Sequence, residues 1–149
     1  QNEQLKGMGT TVVAAVVRDG NAVIANVGDS RIYLIDDNIT QLTTDHSIVQ
    51  TLVESGKITA EDAKVHPRKN VITRALGAEE DVAVDIAEYN LSENNTLLLC
   101  TDGLTNFVSE DDILKTFKQN DISIVSEKLV GLANEGGGGD NITAVTLTM

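Results

Sequence analysis

The sequence predicts an α+β fold on three observations. Short apolar runs separated by tight-turn residues fill Thr10 to Thr43, the hydrophobic period becomes helical after His46, and strand patterns return from Val82 before helices and a closing strand. At 149 residues the length is that of one domain, and a hydrophobic content of 41% is enough for a core. Aromatic residues make up only 3% and tryptophan is absent, so the core must be aliphatic.

The first stretch reads as a β-meander. Thr11 to Val17, Ala22 to Val27, Arg31 to Ile35 and Ile39 to Thr43 are strands, joined by turns at Asp19-Gly20-Asn21, around Gly28-Asp29 and at Asp36-Asp37-Asn38. The run through Val17 is apolar at every position, as in a strand buried on both faces, which predicts cover on each side of its sheet. In the second stretch, Ile48, Val49, Leu52 and Val53 recur at helical spacing and stop at Gly56, a suitable C-terminal cap. Thr59 caps a second helix with Glu61 and Asp62 in its first turn, and Pro67, the only proline, ends what precedes it. The third stretch predicts strands over Val82 to Tyr89 and Thr96 to Thr101. A helix follows from Ser109, its serine cap backed by Glu110, Asp111 and Asp112; another places Ile122, Val125, Leu129, Leu132 and Ala133 on one face, and the last strand runs from Asn141 to Met149. No repeat is visible, and the four glycines Gly136 to Gly139 are the only low-complexity patch.

Charge and composition exclude several classes of function. A net charge of -12 has the wrong sign for nucleic acid, whose affinity comes mainly from lysine and arginine neutralising phosphates. One cysteine permits no internal disulfide, no apolar run is long enough to cross a membrane, and the first residues lack a signal pattern, so a soluble chain in the cytoplasm is expected. Against the acidic background, Lys57 to Arg74 holds five basic residues (Lys57, Lys64, Arg68, Lys69, Arg74) and two acidic ones. Such an island either attracts an anionic group or merely solubilises a loop.

The chemistry-bearing residues are two aspartates. Asp102 ends the run Thr96 to Thr101 and precedes Gly103, and Asp140 stands between the four glycines and the closing strand. Alone, each reads first as a turn residue. If their strands are neighbours, the pair offers hard oxygen ligands at one spot, with glycine leaving room for ions and water. Cys100 reads as core packing, because a cysteine phosphatase needs an arginine six positions on and position 106 is Asn106. His46 and His66 sit at element boundaries and are assigned to caps or surface rather than catalysis. No phosphate-cradling glycine loop followed by lysine occurs, so a nucleotide-binding enzyme is a weak option.

Seven pieces in order, Gly7 to Thr11, Val27 to Arg31, Thr44 to Ser47, His66 to Asn70, Arg74 to Gly77, Thr101 to Leu104 and Asp140 to Thr143, resemble the metal-dependent serine/threonine protein phosphatases of the PPM or type 2C family in their bacterial form. The resemblance implies an αββα sandwich, two antiparallel sheets flanked by helices, with two Mn²⁺ or Mg²⁺ ions at one end. Asp102 and Asp140 match metal ligands, Asp29 matches the aspartate that joins Asp102 in holding a third ion, and Asn141 sits where a neighbour orders water. The implied reaction is attack on the phosphorus of a phosphoserine or phosphothreonine protein, the substrate of a bacterial serine/threonine kinase, by hydroxide held between the ions. The stretch from about 46 to 74 corresponds to the family's mobile flap; Arg68 and Arg74 are candidates to meet a phosphopeptide, with pairing to the chain's many carboxylates the first expectation.

The family's N-terminal motifs, which carry a phosphate-binding arginine, a bridging aspartate and a proposed general acid, have no counterpart here. The chain is therefore expected to hold part of a domain over 1–149, to be inactive or weak alone, and to self-associate through exposed sheet. The competing expectation is a non-catalytic module that binds phosphoproteins or regulates through the basic flap.

Overall fold

A computed structural model describes residues 6–148; Met149, read above as the end of the closing strand, lies outside the described residues. The chain forms two antiparallel sheets laid face to face, one of which is backed by helices. The first sheet has the order β1-β2-β5, from β1 (Val12–Arg18), β2 (Asn21–Val27) and β5 (Asp85–Asn90). The second has the order β4-β3-β6-β7, from β3 (Arg31–Ile35), β4 (Ile39–Gln41), β6 (Thr96–Cys100) and β7 (Ala144–Thr148). Helices α1 (Ile48–Glu54) and α2 (Ala60–Val65) lie between β4 and β5, α3 (Asp102–Thr105), α4 (Glu110–Gln119) and α5 (Ile122–Glu135) between β6 and β7.

Local chemistry explains most of the boundaries. Asp19 and Gly20, with φ of 50° and 76°, form the two-residue turn between β1 and β2, the geometry whose twist suits an antiparallel hairpin. The Ser47 side chain accepts from the Gln50 amide at the start of α1, and Thr59 with Asp62 forms a reciprocal capping box on α2. The Ser109 side chain accepts from the Asp112 amide at the start of α4, and the Asp121 side chain accepts from the Ser123 amide at the start of α5.

Two clusters form the core. Ala22, Ile24, Ile32 and Leu97 fill the space between the sheets, while Tyr33, Leu98, Cys100, Leu104, Ile113 and Leu129 fill the space between the second sheet and its helices. Tyr33 is the one aromatic among the largest fully buried side chains described, as an aliphatic core requires. The Tyr89 hydroxyl donates to the Leu42 carbonyl at 3.1 Å and ties the two sheets together.

The meander is where the structure corrects the expectation. β2 and β3 do not form a hairpin: the chain leaves the first sheet at Gly28-Asp29 and enters the second, so that β3 pairs with β4 and β6 instead. The pattern of β1 is likewise not that of a doubly buried strand. Val13, Ala15 and Val17 turn toward the second sheet, while Val12, Ala14 and Val16 are exposed, and Val16 shows 69% of its surface. Among the described residues no element covers that outer face, so an all-apolar run tells which residues tolerate burial and not which are buried. β5 begins at Asp85 rather than Val82, β4 is three residues long, and Leu132 is 39% exposed at the margin of the face read for α5.

Candidate metal centre

Strand pairing brings the three aspartates to one end of the second sheet. β6 and β7 are antiparallel neighbours with Cys100 opposite Ala144, so the segment after β6 and the segment before β7 leave the sheet together. Asp102 opens the short helix α3 immediately after β6, and Asp140 lies just ahead of β7. β3 flanks β6 on its other side with Arg31 opposite Cys100, which puts Asp29, two residues before β3, at the same end.

The two loops are stitched by Thr101 and held close by Gly103. The Thr101 amide donates to the Thr143 carbonyl at 3.2 Å; its hydroxyl donates to the Asn141 carbonyl at 3.2 Å and accepts from the Thr143 amide at 3.0 Å. A Cβ on Gly103 would overlap the carbonyl oxygen of Asn141, so only glycine permits this approach. Asp140 accepts from the amide of Asn141 at 2.7 Å, which turns its carboxylate back on its own loop. Helix α3 was not legible in the sequence, and with it the contact of the Asn106 amide, four residues on, with Asp102 Oδ2 at 3.3 Å.

The carboxylates repel one another. Burial lifts the Asp29 carboxyl to about 6, and the charge of Asp102 adds to the lift. Asp102 is also raised, by burial first and then by the charge of Asp140, while the Gly103 amide and Asn106 pull the other way. Among the described residues no salt bridge reaches any of the three. Nor do any three described His, Cys, Asp or Glu side chains close on one point. The aspartates form a row with Asp102 in the middle rather than a finished cage. Hard oxygens in mutual repulsion, without a cation, fit Mg²⁺ or Mn²⁺ bound with water completing the coordination.

Carboxylates hold the basic side chains of Arg31 and Arg74. Arg31 is fully engaged: it grips Asp45 through Nε at 2.9 Å and through Nη2 at 2.7 Å, and it donates from Nη1 to the Tyr33 hydroxyl at 2.9 Å. Burial works against the charge of Arg31, yet Asp45 holds it firmly protonated. Arg74 donates to Asp85 Oδ1 at 2.8 Å, so a carboxylate already occupies it, and Arg68 is exposed with only backbone bonds: its amide donates to His66 Nδ1 at 3.1 Å and its carbonyl accepts from the Val71 amide at 3.2 Å. A trough of about 720 Å³ runs from Asp29 and Asp102 between the α1–α2 region and the start of α4, and the basic residues lining it are Arg31, Lys64 and Lys69. A second cavity of about 630 Å³, between α4 and α5, shares none of its lining. His46, read as a cap or surface residue, is 6% exposed, and its ring contacts Gly28, Arg74 and Asp85. Distant partners gave it no local signal.

The sequence profile of the family described as Protein phosphatase 2C matches residues 1–142. The chain belongs to the protein phosphatase 2C family. It is 50% identical over 145 residues to the serine/threonine phosphatase stp of Listeria welshimeri, a match that covers 95% of this chain and 57% of that protein. Serine/threonine phosphatase Stp1 from Staphylococcus aureus superposes with a TM-score of 0.94 at 41% identity, covering 99% of this chain and 59% of that structure. The catalytic domain of the serine/threonine protein phosphatase PstP in complex with two manganese ions gives a TM-score of 0.85 at 37% identity, covering 95% and 59%. The chain thus spans about three-fifths of the length of these relatives. Two antiparallel sheets with helices are the architecture it shares with them, and no helix among the described residues is long and apolar enough to cross a membrane.

Proposed function

We propose that this chain is the larger share of a PPM-type serine/threonine protein phosphatase domain, spanning 1–149 with the α1–α2 excursion at about 46–74 as its flap. The supporting observation is the row of Asp29, Asp102 and Asp140, the first two raised by burial and then by a neighbouring carboxylate, at one end of a sheet and with no salt bridge to any of the three among the described residues. Divalent ions, when bound, lower the pKa of water and neutralise charge on a phosphoryl group. Asp102 and Asp140 hold such ions, Asp29 with Asp102 holds a further one, and the Asn106 amide orients the Asp102 carboxylate. Asn141, with its amide fixed on Asp140, orders water beside it. The trough leading away from Asp29 and Asp102 receives the phosphorylated segment, with Lys64 and Lys69 on its wall; Arg68, exposed and next to Lys69 in the chain, is a further candidate to meet it. The substrates are phosphoserine and phosphothreonine proteins made by a bacterial kinase in the cytoplasm.

An open row of ligands binds ions less well than a closed set, so the 149 residues alone turn over slowly or not at all. Calorimetric titration with Mn²⁺ tests the site: heat of binding is expected from the unmodified chain and is abolished in the Asp102→Ala, Asp140→Ala double variant. Equal traces for the two proteins would favour a non-catalytic phosphoprotein-binding module. Activity of the 149 residues matching that of a complete relative would overturn the expectation of weak turnover.

A further inference from the structure

Asp29 differs from the other two aspartates in standing on the joint between the sheets, and one residue holds that joint. The Gly28 amide donates to His46 Nδ1 at 3.0 Å, and the Gly28 carbonyl accepts from the His46 amide at 2.9 Å. Both polar backbone groups of the residue before Asp29 therefore end on a single side-chain and main-chain pair. Gly28 has φ of 111°, and a Cβ there would overlap the Thr11 side chain, so no other residue gives this path. On the far side of Asp29, the hydroxyls of Ser30 and Thr11 meet at 2.9 Å.

The bonds to the ring decide its tautomer. Nδ1 accepts from the Gly28 amide, so in the neutral ring the proton is on Nε2, which lies 3.1 Å from Asp85 Oδ2. The other tautomer would let Nε2 accept from Arg74 Nη1, 3.1 Å away, but Arg74 already donates to Asp85; it would leave the buried Gly28 amide without an acceptor, at a cost of about 1 to 3 kcal/mol, and would give Asp85 nothing to accept from the ring. Arg74 completes the arrangement by donating to the other oxygen of Asp85 at 2.8 Å. Thr73 donates to the His46 carbonyl at 2.8 Å, so both ends of the 46–74 excursion meet at this histidine.

We propose that His46 is a positioning residue of the metal centre: kept in its Nε2–H tautomer by Asp85, it clamps Gly28 at both backbone groups and so sets where Asp29 presents its carboxylate. The proposal rests on the reading of Asp29 as a metal ligand. The arrangement is that of a ligand's outer support, whose loss typically costs about 10- to 100-fold in metal affinity.

Two measurements on the 149-residue chain test it. Nitrogen-15 NMR of the metal-free protein is expected to show His46 Nδ1 unprotonated and coupled across the hydrogen bond to the Gly28 amide; a protonated Nδ1 overturns the proposal. Mn²⁺ titration, read by calorimetry and by paramagnetic broadening of the Asp29 amide, is expected to weaken about 10-fold in His46→Phe. His46→Asn, whose Oδ1 stands where Nδ1 stood, is expected to recover most of that loss, and Asp85→Ala to lose several-fold by releasing the tautomer. Unchanged affinity in a folded His46→Phe, or His46→Asn as weak as His46→Phe, overturns the positioning role alone. If His46→Phe does not fold, unchanged affinity in Asp85→Ala does the same. No Mn²⁺ response in the unmodified chain overturns the reading of the site, and this proposal with it, even where NMR shows the clamp intact.

Discussion

The two sheets carry similar strands and live in different surroundings. β6 presents Leu97 to the first sheet and Leu98 to the helices, both essentially inaccessible, whereas β1 presents Val17 to the second sheet and Val16 to the surface. The candidate ligands gather at the end of the sheet packed on both faces, and the sheet with one open face contributes only the strand that leads into Asp29. Candidate ligands on a doubly packed sheet are held by contacts close by in the two loops: Thr101 and Gly103 join the loops, Asn106 meets Asp102, and the Asn141 amide meets Asp140. Asp29, on the joint, needs His46.

The largest expected effect lies in the packed layer. Leu129→Ala removes a fully buried side chain between α5 and the second sheet, and urea denaturation should show a loss of about 3 kcal/mol; Val16→Ala on the open face should change stability by less than about 0.5 kcal/mol. Similar losses for the two would erase the contrast. Next comes Gly103→Ala, which drives a methyl group into the Asn141 carbonyl: a loss of about 2 kcal/mol is expected, with Mn²⁺ affinity falling by an order of magnitude.

Asp29→Asn should act in the opposite direction on stability. The folded carboxyl titrates near 6 and the unfolded one near 3.8, so the native state holds its proton more tightly and the metal-free chain loses stability as pH rises between those values. Removing the charge should therefore stabilise the metal-free fold at pH 7 by about 1 kcal/mol after allowance for solvent screening, while weakening Mn²⁺ binding. Thermal melts at pH 4 and pH 7 check the sign: the variant's advantage should vanish at the lower pH. The smallest change in folding energy is expected from Ile86→Lys, which charges the open face next to Ala25. Stability should stay within about 0.5 kcal/mol of the parent, and the weight-average mass in sedimentation velocity should fall toward the monomer.

The sequence made the elements legible and left their neighbours open. Capping residues at Thr59 and Ser109 and the helical spacing of Ile48, Val49, Leu52 and Val53 are local signals, and each helix they announce is present. Asp102 and Asp140 could be placed at the ends of strands for the same reason, and their adjacency followed once β6 and β7 were taken as a pair. What stayed hidden depends on contacts across long stretches of chain. The switch of sheets at Gly28-Asp29 looks like any glycine turn, because the dipeptide specifies the bend and not the partner of the next strand. His46 meets Gly28 and Asp85 from 18 and 39 positions away, and Arg74 is taken by a carboxylate that nothing near it in the chain reveals.

Cys100 sits 2% exposed in β6 beneath this site, and burial first of all pushes its thiol up to about 12. A thiol so placed has almost no thiolate at neutral pH and no route to a reagent while the sheet is closed. Alkylation of this single sulfur therefore proceeds only when the strand opens, and the rate of its modification becomes a clock for transient opening of the layer that carries Asp102, readable by mass alone in a chain with no second cysteine to confuse it.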